Sequence, residues 1–132
     1  MNIKKVGLGL AFGLSMTLAQ AAPGGVTVKP LMNKDIPESP GKEMLMISVE
    51  YAPGGEDPVH RHDAHAIVYV LEGSIIMGVK GGKEVTLKAG DTFYEGPADL
   101  HTVGRNASKT KPAKFVAFLV KDKAKPALIP VP

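Results

Sequence analysis

Apolar and polar side chains alternate with a period of two through most of the chain after residue 24. In EMLMISVEY (43–51), Leu45, Ile47 and Val49 share one side of an extended chain, which is the pattern of a half-buried strand. AIVYVLEG and SIIMGVK are rich in β-branched residues and are separated by Gly73, and GVKGGKEVTL carries a glycine pair typical of a hairpin. Together with DTFYEG and FVAFLV, these segments predict an all-β sandwich or barrel without a helix of useful length.

The chain divides into four predicted segments. Residues 1–21 are predicted as a signal peptide, 22–42 as an extended N-terminal arm, 43–120 as the barrel and 121–132 as an extended C-terminal tail. Both arms are rich in proline, and we expect them to run along the barrel or across to a partner.

The signal-peptide prediction rests on the order of charge, apolar run and small residues. Two lysines precede an apolar run from Val6 to Ala19, and Ala19-Gln20-Ala21 follows as a cleavage pattern. The run has 14 residues, whereas a helix that spans a membrane needs roughly 20. We therefore expect a periplasmic or secreted protein that is not anchored in a membrane; an ordinary buried N-terminal helix is the alternative.

Charge and cysteine content narrow the classes of function. Lys4 and Lys5 leave with the signal peptide, so 14 basic and 13 acidic side chains remain, a net charge near +1. Nucleic-acid binding requires a concentrated basic face, and we expect none. The chain has no cysteine, so a thiolate nucleophile and thiolate metal ligands are excluded, and any metal must be held by nitrogen and oxygen.

Three of the four histidines lie within HRHDAH (60–65), and the fourth is His101. His60 and His62 are two positions apart, so on a strand they face the same side. If that side is the barrel interior, burial of both imidazoles is costly without partners, and a shared metal ion resolves the cost. A third imidazole from His101 would complete a common type of metal site. Surface histidines and pH sensing are the alternatives.

Two of these segments resemble the two motifs of the cupin family. GGEDPVHRHDAHAIVYVLEG resembles the first motif and GDTFYEGPADLHTVGRN the second. The resemblance implies a small antiparallel jelly-roll barrel with one divalent metal at its mouth, bound by His60, His62 and His101. It also implies a small-molecule ligand or substrate and a homodimer, since many cupins pair through edge strands.

The chain departs from the first motif at the metal-binding glutamate. Counting back seven from Gly73, that glutamate falls at Ala66, and His65 is its neighbour. On a flat strand His65 would face away from His60 and His62, whereas a turn at residues 63–64 would let it swing inward as a fourth metal ligand. Otherwise His65 is a polar group at the rim of the site.

Glu95 is the candidate catalytic carboxylate. On DTFYEG it shares a strand face with Phe93, so if Phe93 faces the core, Glu95 points into the mouth and can act as a general base. A surface carboxylate beside a loop is the alternative.

An all-histidine site favours iron, copper, nickel or zinc as the metal. In the wider family such sites occur among oxygen-using enzymes, so the resemblance implies a dioxygenase-like enzyme that acts on a small molecule. Because fold alone does not determine function, a non-catalytic metal- or ligand-binding module or sensor is the alternative. Isomerase or epimerase activity is a weaker candidate, because no arrangement of lysine, base and acid is legible.

Overall fold

The computed structural model describes residues 24–132, and all of the regular secondary structure in that range is β-strand. The predicted signal peptide lies outside the described residues. The strands are β1 (Val26–Asp35), β2 (Lys42–Tyr51), β3 (His60–Arg61), β4 (Ala64–Glu72), β5 (Ser74–Val79), β6 (Val85–Lys88), β7 (Thr92–Glu95), β8 (His101–Asn106), β9 (Ala113–Asp122) and β10 (Ile129–Pro130). Within residues 24–132, no helix is long and apolar enough to cross a membrane.

The strands form two five-stranded sheets. The first sheet has the order β1-β2-β9-β4-β7 and the second has the order β10-β3-β8-β5-β6. All of the pairs within them are antiparallel, and the longest register joins β2 to β9. The predicted all-β, antiparallel jelly-roll fold is thereby confirmed.

Strand β4 shows how the sequence pattern defines the two faces of the first sheet. Ala64, Ala66, Val68 and Val70 are buried, and the residues between them are exposed. This is the period-2 burial expected of a strand with one face against the core. The core between the sheets also contains, from other strands, Tyr51, Ile75, Met77, Phe115 and Leu119.

A tight turn at Gly73 carries the chain from the first sheet to the second. Its φ is +72°, and a Cβ atom there would lie 2.7 Å from the carbonyl oxygen of Pro112. Only glycine meets both conditions without strain. β4 therefore belongs to the first sheet and β5 to the second.

Both ends of the described chain join the sheets. The stretch predicted as an N-terminal arm contains β1, which pairs with β2 as an edge strand and is interrupted between Pro30 and Met32. Proline lacks a backbone N–H and is tolerated at sheet edges and bulges. The C-terminal tail folds back on the barrel, where Ile129 and Pro130 pair with Arg61 and His60.

Candidate metal centre

Four side chains converge between the two sheets at the end of the barrel where the tail folds back. They are His60 on β3, His62 just after it, Glu95 at the end of β7 and His101 at the start of β8. One nitrogen or oxygen atom from each lies within 4.8 Å of the others. His60 and His101 are partners in the β3–β8 register, so the antiparallel pairing of two short strands brings these distant histidines together.

The distances between these atoms fit a shared ion. His60 Nε2 lies 3.2 Å from His62 Nε2 and 3.1 Å from His101 Nδ1. Glu95 Oε2 lies 3.4 Å from His62 Nε2 and 3.3 Å from His101 Nδ1. Two donors that each lie about 2.1 Å from one ion are about 3.0–3.4 Å apart in octahedral or tetrahedral coordination.

Backbone carbonyls orient two of the imidazoles. His60 Nδ1 donates to the carbonyl oxygen of Pro58 at 2.7 Å, and His62 Nδ1 donates to that of Ala127 at 2.6 Å. Because these carbonyls can only accept, both rings carry a proton on Nδ1 and turn Nε2 toward the cluster. Such contacts to the far nitrogen are typical of metal-binding histidines.

Two buried polar atoms in the cluster have no hydrogen-bond partner among the described residues, Glu95 Oε2 and His101 Nε2. A buried polar atom without a partner costs free energy. A cation between the four side chains would supply the partner that the Glu95 oxygen lacks. The donor set and this unsatisfied oxygen therefore both fit a metal ion.

Electrostatics favour the protonation states that metal binding requires at three of the four side chains. Burial raises the pKa of Glu95, but the imidazoles of His62, His101 and His60 lower it by more, so the net shift is downward. Burial lowers the pKa of His60 and of His101. At neutral pH Glu95 is thus an anion and these two histidines are neutral. His62 has a raised pKa, because Glu95 and the carbonyl of Ala127 outweigh its burial.

A second polar pair lies beside His101. The Tyr51 hydroxyl donates to Asp57 Oδ2, and burial raises the pKa of both residues. A Cβ atom at Gly104 would lie 3.0 Å from Asp57 Oδ2, 3.0 Å from His101 Cε1 and 3.1 Å from the Tyr51 hydroxyl. Glycine at position 104 is therefore what allows the pair to approach the histidine.

The cavity next to the cluster is small and mostly apolar. Its volume is about 40 Å³, which is room for about three water molecules. Apart from Asp57 and the cluster, its walls are Ala66, Val68, Met77, Phe115, Ala117 and Leu128.

The structure does not bring His65 into the cluster. The chain does turn after His62, and Asp63 has a φ of +48°. The strand parity of β4 then places Ala64 and Ala66 inside and His65 outside. There His65 is exposed, and its Nδ1 lies 2.7 Å from the Tyr94 hydroxyl. This differs from the expected all-histidine site, in which His65 was the candidate fourth ligand.

Glu95, predicted as a general base, lies where a fourth metal ligand would be. It is 2 % exposed, and it is the register partner of Ala66 on the adjacent strand β4. The carboxylate that the first motif lacks at residue 66 is therefore present directly across the strand pair. Sequence reasoning missed this juxtaposition because the signal is a cross-strand register, which no local motif contains.

Comparisons with known proteins identify the family. A family model described as "Cupin domain" matches residues 47–119. Oxalate oxidase GF-2.8 from Triticum aestivum is 33% identical over 122 residues, which cover 81% of this chain and 53% of that protein. Germin-like protein 3-5 from Oryza sativa subsp. japonica is 33% identical over 109 residues, covering 74% and 46%. This chain thus spans about half the length of these relatives.

Among solved structures, an oxalate oxidase in complex with the substrate analogue glycolate superposes with a TM-score of 0.62 at 28% identity. The match covers 94% of this chain and 71% of that one.

Proposed function

The chain belongs to the cupin family, and on that premise we propose that it binds one divalent transition metal through His60, His62, Glu95 and His101. The observation that carries the proposal is the buried Glu95 oxygen without a hydrogen-bond partner, held at ligand spacing from two imidazoles. Three nitrogens and one carboxylate suit first-row metals, and the carboxylate adds manganese to iron, copper, nickel and zinc.

We further propose that the bound metal serves an oxidase or oxygenase reaction on a small carboxylic acid. Similarity to oxalate oxidases, one of them in complex with glycolate, supports this substrate class. With Glu95 ionised, a divalent ion in the site keeps one net positive charge. Among the described residues no lysine or arginine lines the cavity, so that charge is the feature that would attract an anionic substrate.

The chain's own side chains would hold the ion, exclude water and carry a proton. The apolar walls strengthen charge interactions by lowering the local dielectric constant. The Tyr51–Asp57 pair holds a proton at Asp57 Oδ2 close to His101. When bound, the metal supplies Lewis acidity or electron transfer with oxygen.

The experiment is oxygen uptake by the chain loaded in turn with manganese, iron, cobalt, nickel, copper or zinc. Oxalate, glycolate and other short carboxylic acids are the substrates, and Glu95→Ala is the negative control. Uptake with at least one acid, lost in the control, supports the proposal. Stoichiometric metal with no uptake for any acid contradicts the enzymatic part.

A second candidate is a non-catalytic metal-binding module. The cavity of about 40 Å³ and the tail folded over it favour this reading, because enzymes of larger substrates need pockets of about 300 Å³ or more. The same oxygen-uptake experiment separates the two.

Export to the periplasm or outside the cell is supported by the N-terminal pattern of residues 1–21, and a mature N-terminus near Ala22 would verify it. The expected homodimer stays a prediction that sedimentation equilibrium tests.

A further inference from the structure

The C-terminal residues 125–131, here called the strap, contact the segment that carries two of the proposed ligands. Ile129 and Pro130 pair with β3, and the backbone N–H of Val131 donates to the carbonyl of Val59 at 2.9 Å. Lys125 Nζ donates to Asp63 Oδ2 at 3.1 Å. The strap therefore runs along residues 59–63, across the mouth of the barrel.

One strap contact reaches a proposed ligand directly. The carbonyl oxygen of Ala127 accepts from His62 Nδ1 at 2.6 Å, although the two residues are 65 positions apart. His62 lies between β3 and β4 and is outside both strands, so ladder hydrogen bonds do not fix its orientation. The strap is what holds this imidazole with Nε2 toward the cluster.

A second strap residue forms a wall of the cavity. Leu128 lines it together with side chains of the two sheets. The sheet residues Ala66, Val68 and Met77 are almost completely buried and belong to strands paired along their length. Leu128 is only partly buried and lies just before the two-residue strand β10. Among the apolar residues that line the cavity, it is the least buried and has the least strand pairing.

We infer that the strap contributes two functions to the metal site. The Ala127 carbonyl positions His62, and the Leu128 side chain limits the ligands that reach the metal to a few heavy atoms. This inference rests on the proposed function, since it requires a metal in the cluster. It assigns to the C-terminal segment a role in selectivity and in metal retention.

The selectivity half is tested with Leu128→Ala and, as a matched control, Leu31→Ala. Leu31 is 46% exposed on β1, at the opposite edge of its sheet from β7. Each protein is loaded with cobalt(II), and its visible absorption spectrum is titrated with azide and with benzoate. We expect Leu128→Ala to bind benzoate at least about tenfold more tightly than the native chain, with azide affinity changed less than about twofold.

Equal benzoate affinity in the native chain and in Leu128→Ala would overturn the selectivity role. An equal gain in Leu31→Ala would overturn it as well. If the native chain takes up no cobalt(II), the proposed function fails and the inference falls with it, whereas cobalt uptake with identical titrations refutes the inference alone.

The retention half is tested by ending the chain at Pro126, with a chain that ends at Val131 as the control. The control keeps every strap contact described above. Without residues 127–132, His62 loses its acceptor, and we expect cobalt(II) to pass to EDTA about 10–100 times faster, as for loss of a partner that orients a metal ligand. Release at the native rate would contradict the positioning role. Circular dichroism establishes that the shortened chain is folded, and the selectivity test with Leu128→Ala does not depend on truncation.

Discussion

Two glutamates are buried on the inner face of the same sheet, and they differ in how their carboxylates are satisfied. Glu43 on β2 is 7% exposed and accepts from Lys121 Nζ at 2.6 Å and from Asn33 Nδ2 at 2.9 Å. Glu95 on β7 is 2% exposed, and its Oε2 faces imidazoles without making a hydrogen bond. The first carboxylate is neutralised within the protein, whereas the second keeps an unsatisfied oxygen to which the proposed cation would bind.

This difference separates structural burial of charge from functional burial. A buried ion pair with its remaining hydrogen bonds made is self-sufficient, and breaking it by removing one partner is destabilising. Glu95 has no such partner, since its Oε2 faces only imidazoles and makes no hydrogen bond among the described residues. Those imidazoles lower its pKa despite burial, and the position left beside Oε2 is where the proposed cation would bind.

Glu95→Gln tests the proposed role of Glu95 in metal binding and has the largest expected effect on metal affinity. An amide keeps the shape but loses the charge, so we expect metal affinity to fall by more than about 100-fold, beyond the loss seen for outer contacts of metal sites. The metal-free variant should remain folded with a melting temperature no higher than native, because the lowered pKa of Glu95 shows that the fold favours its ionised form. Calorimetric titration and thermal unfolding measure the two. Glu43→Gln is the matched control and should bind metal normally.

Moving the carboxylate from residue 95 to residue 66 tests whether either position can supply the metal ligand. Ala66 and Glu95 are register partners, and opposite side chains on antiparallel strands have Cβ atoms about 4.5–5.5 Å apart. We expect the double variant Ala66→Glu with Glu95→Ala to recover most of the metal affinity that Glu95→Ala alone loses. No recovery in a folded double variant would show that the position of the carboxylate, and not only its presence, is essential.

The pH dependence of the stability of Glu43→Gln tests the structural role of Glu43. Hydrogen bonds from Lys121 and Asn33 lower the pKa of Glu43 below its usual 4.5. A lowered pKa contributes stability that is complete above 4.5 and is lost as the pH falls through the folded-state value. We expect the variant to unfold several degrees lower at neutral pH and to lose less stability on acidification than the native chain. If the melting temperatures of the variant and the native chain fell in parallel as the pH was lowered, this assignment would be refuted.

His65→Ala is expected to have the smallest effect. His65 is exposed and contacts the Tyr94 hydroxyl outside the cluster, so metal affinity should stay within about twofold of native, as is usual for surface substitutions. A large loss would place His65 in the site after all. His62→Ala, measured beside it, is the positive control.

The sequence predicted most of the fold because alternation is a local property. In β4 and β9, buried and more exposed residues alternate with a period of two. The spacing of His60 and His62 likewise predicted that they face the same side of the chain. The position of Glu95 opposite Ala66 depends on strand register across 29 residues of chain, and local patterns do not encode it. The strap was predicted as extended, running along the barrel or across to a partner, because nothing in its proline-rich sequence specifies β3 as the strand it pairs with.

Parity explains the remaining difference. The turn that was expected to bring His65 inward is present at Asp63, yet it leaves Ala64 and not His65 on the inner face. A shift of one residue in a turn exchanges the two faces of the following strand. Sequence alone could identify the turn but not count its residues.

The central claim is that the cluster of three histidines and Glu95 is a metal site, and the metal-to-chain ratio tests it most directly. The purified chain is offered manganese, iron, cobalt, nickel, copper and zinc separately, freed of excess metal by gel filtration, and measured by elemental mass spectrometry. We predict one ion per folded chain for at least one of these metals, lost in Glu95→Gln and retained in Glu43→Gln. A folded native chain that retains none of the six would contradict the account.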